Sequence, residues 1–148
     1  MKSKTITVIV MLFYSLLLTV AGCMAQSPMQ QPLGYLELQA EIVKDNNAES
    51  CQVIIYNYET EQEIVDKTKG SYKCRLKLNH TYCVSFKKEG FITKSIVINT
   101  DCNKSGYYLF EFIVSLEPVV NYKYSLVADI FYDSKKQDFD YEMLNIQN

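Results

Sequence analysis

Side chains able to carry chemistry are few and widely spaced in this 148-residue chain. His80 is the single histidine, so any Ser-His-Asp or Cys-His site would have to be built around it. It stands in Asn79-His80-Thr81, a tight connection between two apolar runs, where a polar residue serves the turn. The five cysteines include no Cys-x-x-Cys, and one histidine cannot complete a Cys2His2 set, so a structural zinc site is not expected. Glu61, Glu63 and Asp66 are the carboxylates a hydrolase would use, provided two of them met in a cleft that raised the pKa of one. Asp138, Asp140 and Glu142 would fall on one side of an extended segment, as calcium ligands do. The glycine-containing calcium loop is missing, however, and a solvated acidic stretch is the expectation. With no Gly-x-Gly-x-x-Gly or Gly-x-x-x-x-Gly-Lys, nothing would cradle a nucleotide phosphate. The residues therefore lead us to expect no catalytic, cofactor or metal site. A formal net charge of -2 and a pI near 5.4, with scattered lysines, also argue against a nucleic-acid partner.

The amino terminus reads as an export signal over residues 1–25. Lys2 and Lys4 precede the apolar stretch Ile6 to Val20, and small residues follow. Val20-Ala21-Gly22-Cys23 resembles a bacterial lipoprotein box, whereas Cys23-Met24-Ala25 suits ordinary signal peptidase before Gln26. We favour the former. Cys23 would then carry lipid and tie the protein to a membrane, each buried methylene adding about 0.8 kcal/mol. Both readings place the mature chain outside the cytoplasm, either anchored to the outer membrane or periplasmic or extracellular. Residues 26–33, with Pro28 and Pro32, form a tether.

Residues 34–118 alternate. Leu36, Leu38, Ala40 and Ile42 share one face of a first strand, and Cys51 to Tyr58 forms a second. Glu63 to Lys67 is a short polar edge strand. Tyr72 to Leu78, Tyr82 to Lys87, Phe91 to Asn99 and Tyr107 to Leu116 follow, separated by turns that include Gly70, Asn79-His80 and Lys88-Glu89-Gly90. Seven such segments predict an all-β, two-sheet sandwich. Residues 119–148 form a C-terminal extension in which Leu126 to Tyr132 adds a strand-like run before a polar tail. The twelve tyrosines suit pleated packing better than a sugar-stacking surface.

Side-chain parity bears on the cysteines. With Cys23 lipidated, Cys51, Cys74, Cys83 and Cys102 remain, and four thiols allow three pairings. Parity turns Cys51 and Cys74 inward and Cys83 outward, so Cys51 with Cys74 is the pair if one forms. The alternative is buried free thiols acting as small apolar side chains.

Gly70-Ser71-Tyr72, Leu76, Leu78 and the run Tyr82-Cys83-Val84-Ser85-Phe86-Lys87-Lys88-Glu89-Gly90-Phe91 resemble the Tyr-x-Val-x-Phe-x-Lys-x-Gly-Phe/Tyr hairpin of carboxypeptidase regulatory-like, or transthyretin-like, domains of exported bacterial cell-envelope proteins. Asn46 to Ser50 and Leu78 to Thr81 depart from that family's usual turns. The resemblance implies a Greek-key sandwich and a non-enzymatic binding or accessory module contacting another envelope protein or a cell-wall glycan. Loops 45–50, 79–81 and 100–106 and the tail would be its contact surfaces. Two alternatives stay open: a small secreted hydrolase using paired carboxylates, and a surface-fibre subunit assembled by strand addition.

Overall fold

The computed structural model describes residues 33–120 and 124–144. The export signal, Cys23 and the tether up to Pro32 lie outside the described residues. No described residue is helical.

Ten strands follow in order: β1 (Gly34–Lys44), β2 (Asn47–Ala48), β3 (Ser50–Asn57), β4 (Gln62–Lys69), β5 (Ser71–Lys77), β6 (Thr81–Lys87), β7 (Thr93–Asn99), β8 (Gly106–Ser115), β9 (Tyr124–Asp133) and β10 (Asp138–Met143). They form two layers. One runs β4-β3-β6-β7-β9-β10, and the other is β5-β1-β8 with the short β2 folded back on β1. A single residue pair, Lys69 with Ser71, carries the sheet round the corner from β4 to β5. Gly70 makes that corner at φ +76°, where an added Cβ would meet Ala48 at 3.0 Å.

The two-layer all-β sandwich is as the alternation predicts, but the strand count is not. Seven expected segments become ten because β2 is a two-residue hairpin arm and because the C-terminal extension contributes β9, over the expected strand-like run, and β10. β9 pairs in parallel with β7, and β10 returns antiparallel on β9. Ala128, Ile130 and Phe139 of this hairpin are buried in the common core. Residues 138–143 alternate, with Phe139, Tyr141 and Met143 on the face towards β8 and Asp138, Asp140 and Glu142 on the other, and Phe139 is the one of them that is buried.

Every second side chain fills the space between the layers. Leu36, Leu38, Ile42, Val53, Val84, Phe86 and Ile98 are fully enclosed. Each large apolar side chain so buried contributes about 1.5–3 kcal/mol. Edge strand β4 is exposed almost throughout and pairs fully only with β3, as its charges predict. At the other edge of the second layer, β8 pairs with β1 alone, in parallel from Gly34–Gly106 to Val43–Ser115. Gly34 lies so close to that partner that a Cβ would fall 1.8 Å from the Gly106 carbonyl oxygen.

Candidate functional site

The carboxylates considered for hydrolysis do not converge. Glu61, Glu63 and Asp66 are spread along the exposed β4 edge, and none of them lines either of the two concavities described below. Asp66 accepts a hydrogen bond of 2.6 Å from the Tyr72 hydroxyl, and burial together with this acceptor raises the Tyr72 pKa. His80 sits in the β5–β6 turn, its Nδ1 2.9 Å from the Leu78 carbonyl and its N–H donated to Thr100 Oγ1. Asp138, Asp140 and Glu142 lie on the face of β10 opposite Phe139, and Lys136 pairs with Asp140. Among the described residues no three His, Cys, Asp or Glu side chains are grouped to hold a metal.

Of the two readings left open for Cys51 and Cys74, a bridge or free thiols, the structure has free thiols, as it does at Cys83 and Cys102. Cys51 on β3 stands opposite Thr68 of β4, and Cys74 on β5 stands opposite Leu38 of β1. Burial pushes the Cys51 thiol up to about 11 and the Cys74 thiol up to about 12. Cys102 is buried, its sulfur 3.1 Å from the Lys104 carbonyl and 3.4 Å from the Tyr108 hydroxyl.

Most loops expected to make contacts are tied to the body. Thr100, fully enclosed, joins 79–81 to 100–106: its hydroxyl lies 2.8 Å from the Lys77 carbonyl and 2.7 Å from that of His80. Cys102 donates its N–H to Asn79 Oδ1. The Lys88 ammonium pairs with Glu49 and lies 5.1 Å from the Phe91 ring centre. Lys88, with the Ser50 N–H, holds the Glu49 carboxyl down to about 2.

What remains open is the β8 side of the sandwich. Its outward residues Tyr107, Leu109 and Ile113 are 78%, 50% and 67% exposed, forming an apolar stripe interrupted by Glu111. Beside this stripe on β1 and β5, the Tyr107 ring lies 4.8 Å from that of Tyr35, and the Arg75 guanidinium covers Tyr35 at 4.6 Å. Glu37 binds both Lys73 and Arg75, which lowers its pKa. A polar concavity of about 690 Å³ lies at the Gly70 end of the same layer.

Between β8 and the β7-β9-β10 wall runs a groove of about 450 Å³. All six successive residues from Phe110 to Ser115 line it, so it follows the strand's edge rather than one of its faces. Its floor is Ile96, Val127, Ala128 and Ile130; Tyr141 and Met143 of β10 form the far side. Lys94 and Glu117, 2.8 Å apart, stand at its border. Tyr108 stacks edge-on against Phe139, and Phe110 against Tyr141, closing one end.

Sequence reasoning found β8 but not its position. The strand expected over Tyr107 to Leu116 is there, and pairing only with β1 puts it at an edge. Searches against family models and against curated proteins find no match to this chain.

Proposed function

We propose that this protein is a non-enzymatic binding module of the cell envelope, a transthyretin-like domain that engages another envelope protein through its β8 side. One observation carries this reading: a ten-residue edge strand with Tyr107, Leu109 and Ile113 bare on its outer face. Edge strands of soluble proteins are ordinarily blunted with lysine, proline or a bulge, and an apolar edge left open marks an interaction site. β8 has no lysine, no proline and no register shift against β1. The leader and Cys23 support an exported, lipid-anchored form. Gly70 at its corner and the Tyr82–Phe91 hairpin support the transthyretin-like assignment.

Affinity capture from envelope extract tests the reading, comparing the unaltered chain with a variant carrying Leu109→Lys and Ile113→Lys. A defined protein recovered by the first and lost by the second is the expected result. Equal recovery by both overturns it, and recovery of peptidoglycan fragments that depend on Tyr35 and Tyr107 would replace the protein partner with a glycan. Intact mass of the mature protein from membrane and soluble fractions reads the cleavage site and any lipid on Cys23. The second reading, a fibre subunit assembled by strand addition, is favoured by the same unpaired edge.

A further inference from the structure

The backbone of β8 shows which of its groups are free. Gly106 donates its N–H to the Leu33 carbonyl and Leu116 donates to that of Val43. In a parallel ladder the groups of alternate residues turn to the same neighbour, so the even-numbered positions face β1. The N–H and C=O of Tyr107, Leu109, Glu111, Ile113 and Ser115 therefore point away from it, and no other described strand pairs with β8. These free groups border the apolar groove.

Charge gives the chemistry of what fits there. The outer faces beside the groove carry Glu111 on β8 and Asp138, Asp140 and Glu142 on β10. Lys94 and Lys136 are already held by Glu117 and Asp140. Among the described residues, no lysine or arginine pairs with Glu111, Asp138 or Glu142. A second copy of β8 would bring another Glu111 to this acidic border and no basic residue, so self-pairing is disfavoured.

Resting on the binding-module reading and naming its mode, we infer that β8 accepts an extended segment of a partner polypeptide, apolar at alternate positions facing the groove and lysine- or arginine-bearing at those facing out. The segment adds as the next strand of the β5-β1-β8 layer. Residues Phe110 to Ser115 offer it a track of roughly 20 Å at strand rise, enough for about six residues. Main-chain bonding supplies affinity, and the groove and acidic border supply selectivity.

The test uses the whole chain with three synthetic octapeptides: Lys-Val-Lys-Ile-Lys-Val-Lys-Ile, its Glu-for-Lys counterpart, and a rearrangement of the first that lacks the two-residue period. Fluorescence anisotropy reads binding, and amide hydrogen exchange reads its location. The expected result is saturable binding of the alternating basic peptide, at least about tenfold tighter than either control, one order being 1.4 kcal/mol. Exchange should slow at Leu109, Glu111 and Ile113. Glu111→Pro removes a free N–H without touching the β1 ladder and should abolish binding, while Glu111→Lys, an exposed change that leaves the fold intact, should narrow the basic-over-acidic preference. Equal binding of the rearranged peptide, unchanged exchange at the odd positions, or full binding by Glu111→Pro overturns the inference. So does protection of those amides in the free chain, whether independent of concentration, which assigns the edge to the chain's own segments, or growing with it, which assigns it to a second copy. If peptide addition fails while Leu109→Lys with Ile113→Lys still abolishes partner capture, the binding module stands and only its strand-addition mode is lost.

Discussion

Replacing Thr100 with valine exchanges a hydroxyl for a methyl at nearly constant shape, and its consequence follows from three contacts. Thr100 is fully buried; its Oγ1 accepts the His80 N–H at 2.9 Å and reaches the carbonyls of Lys77 and His80 at 2.8 and 2.7 Å. Valine leaves the His80 N–H without an acceptor and removes the hydroxyl donor, although the Lys77 carbonyl keeps the Tyr82 hydroxyl and the His80 carbonyl keeps the Thr100 N–H. The orphaned His80 N–H, half-buried, costs about 2 kcal/mol and the lost hydroxyl hydrogen bond about 1 kcal/mol, about 3 kcal/mol together. The added methyl returns about 0.8 kcal/mol. The net loss of about 2 kcal/mol corresponds to a fall in melting temperature of roughly 10 °C for a domain near 100 residues. Thr100→Ser is the control: it keeps the hydroxyl, gives up the methyl, and should cost about 1 kcal/mol. Thermal unfolding followed by circular dichroism measures both. Should Thr100→Val melt at or above Thr100→Ser, the hydroxyl would not be the staple between the 79–81 and 100–106 loops.

Gly34→Ala drives a Cβ into the Gly106 carbonyl at a φ of +154° and should destabilise the domain by at least about 3 kcal/mol, with β8 the first segment released to limited proteolysis; near-native melting would refute it. Lys88 lowers the Glu49 pKa from 4.5 to about 2, so the stability this pair adds is complete above pH 4.5 and is lost as pH falls towards 2. Urea midpoints at pH 5 and pH 3 should therefore converge in Glu49→Gln relative to the unaltered chain, and parallel declines would count against the pair. Cys51 and Cys74, with thiols raised to about 11 and 12 by burial, should resist iodoacetamide at pH 8 in the folded protein and react fully once it is unfolded without reductant. Peptide mass mapping that finds either one blocked in the unfolded, unreduced state would restore a disulfide.

Strand parity made much of the fold legible. Leu36, Leu38, Ala40 and Ile42, and likewise Val84 and Phe86, are buried as their two-residue period requires. Turns marked by Gly70, Asn79 and Gly90 fall where the chain takes positive φ. Parity says which face is covered, but not which strands are neighbours. Pairing of β1 with β8, and of β7 with β9, joins segments distant in sequence, and no local pattern encodes it. The open side of the sandwich was therefore invisible, although its residues were all assigned to a strand. Lys88 illustrates the other limit: nothing in the turn Lys88-Glu89-Gly90 names Glu49, on another loop, as the partner of its ammonium.

The parallel pairing of β1 with β8 also has a temporal side. A chain emerging amino terminus first presents β1 before any other strand, yet both of its long flanking partners, β5 and β8, come later, and the second is complete only at Ser115. Until then β1, which carries Leu36, Leu38 and Ile42, lacks its neighbour on one side. The earliest of the described strands to be made is among the last to be enclosed, and any factor that holds this polypeptide before it folds must shield that segment until β8 is available.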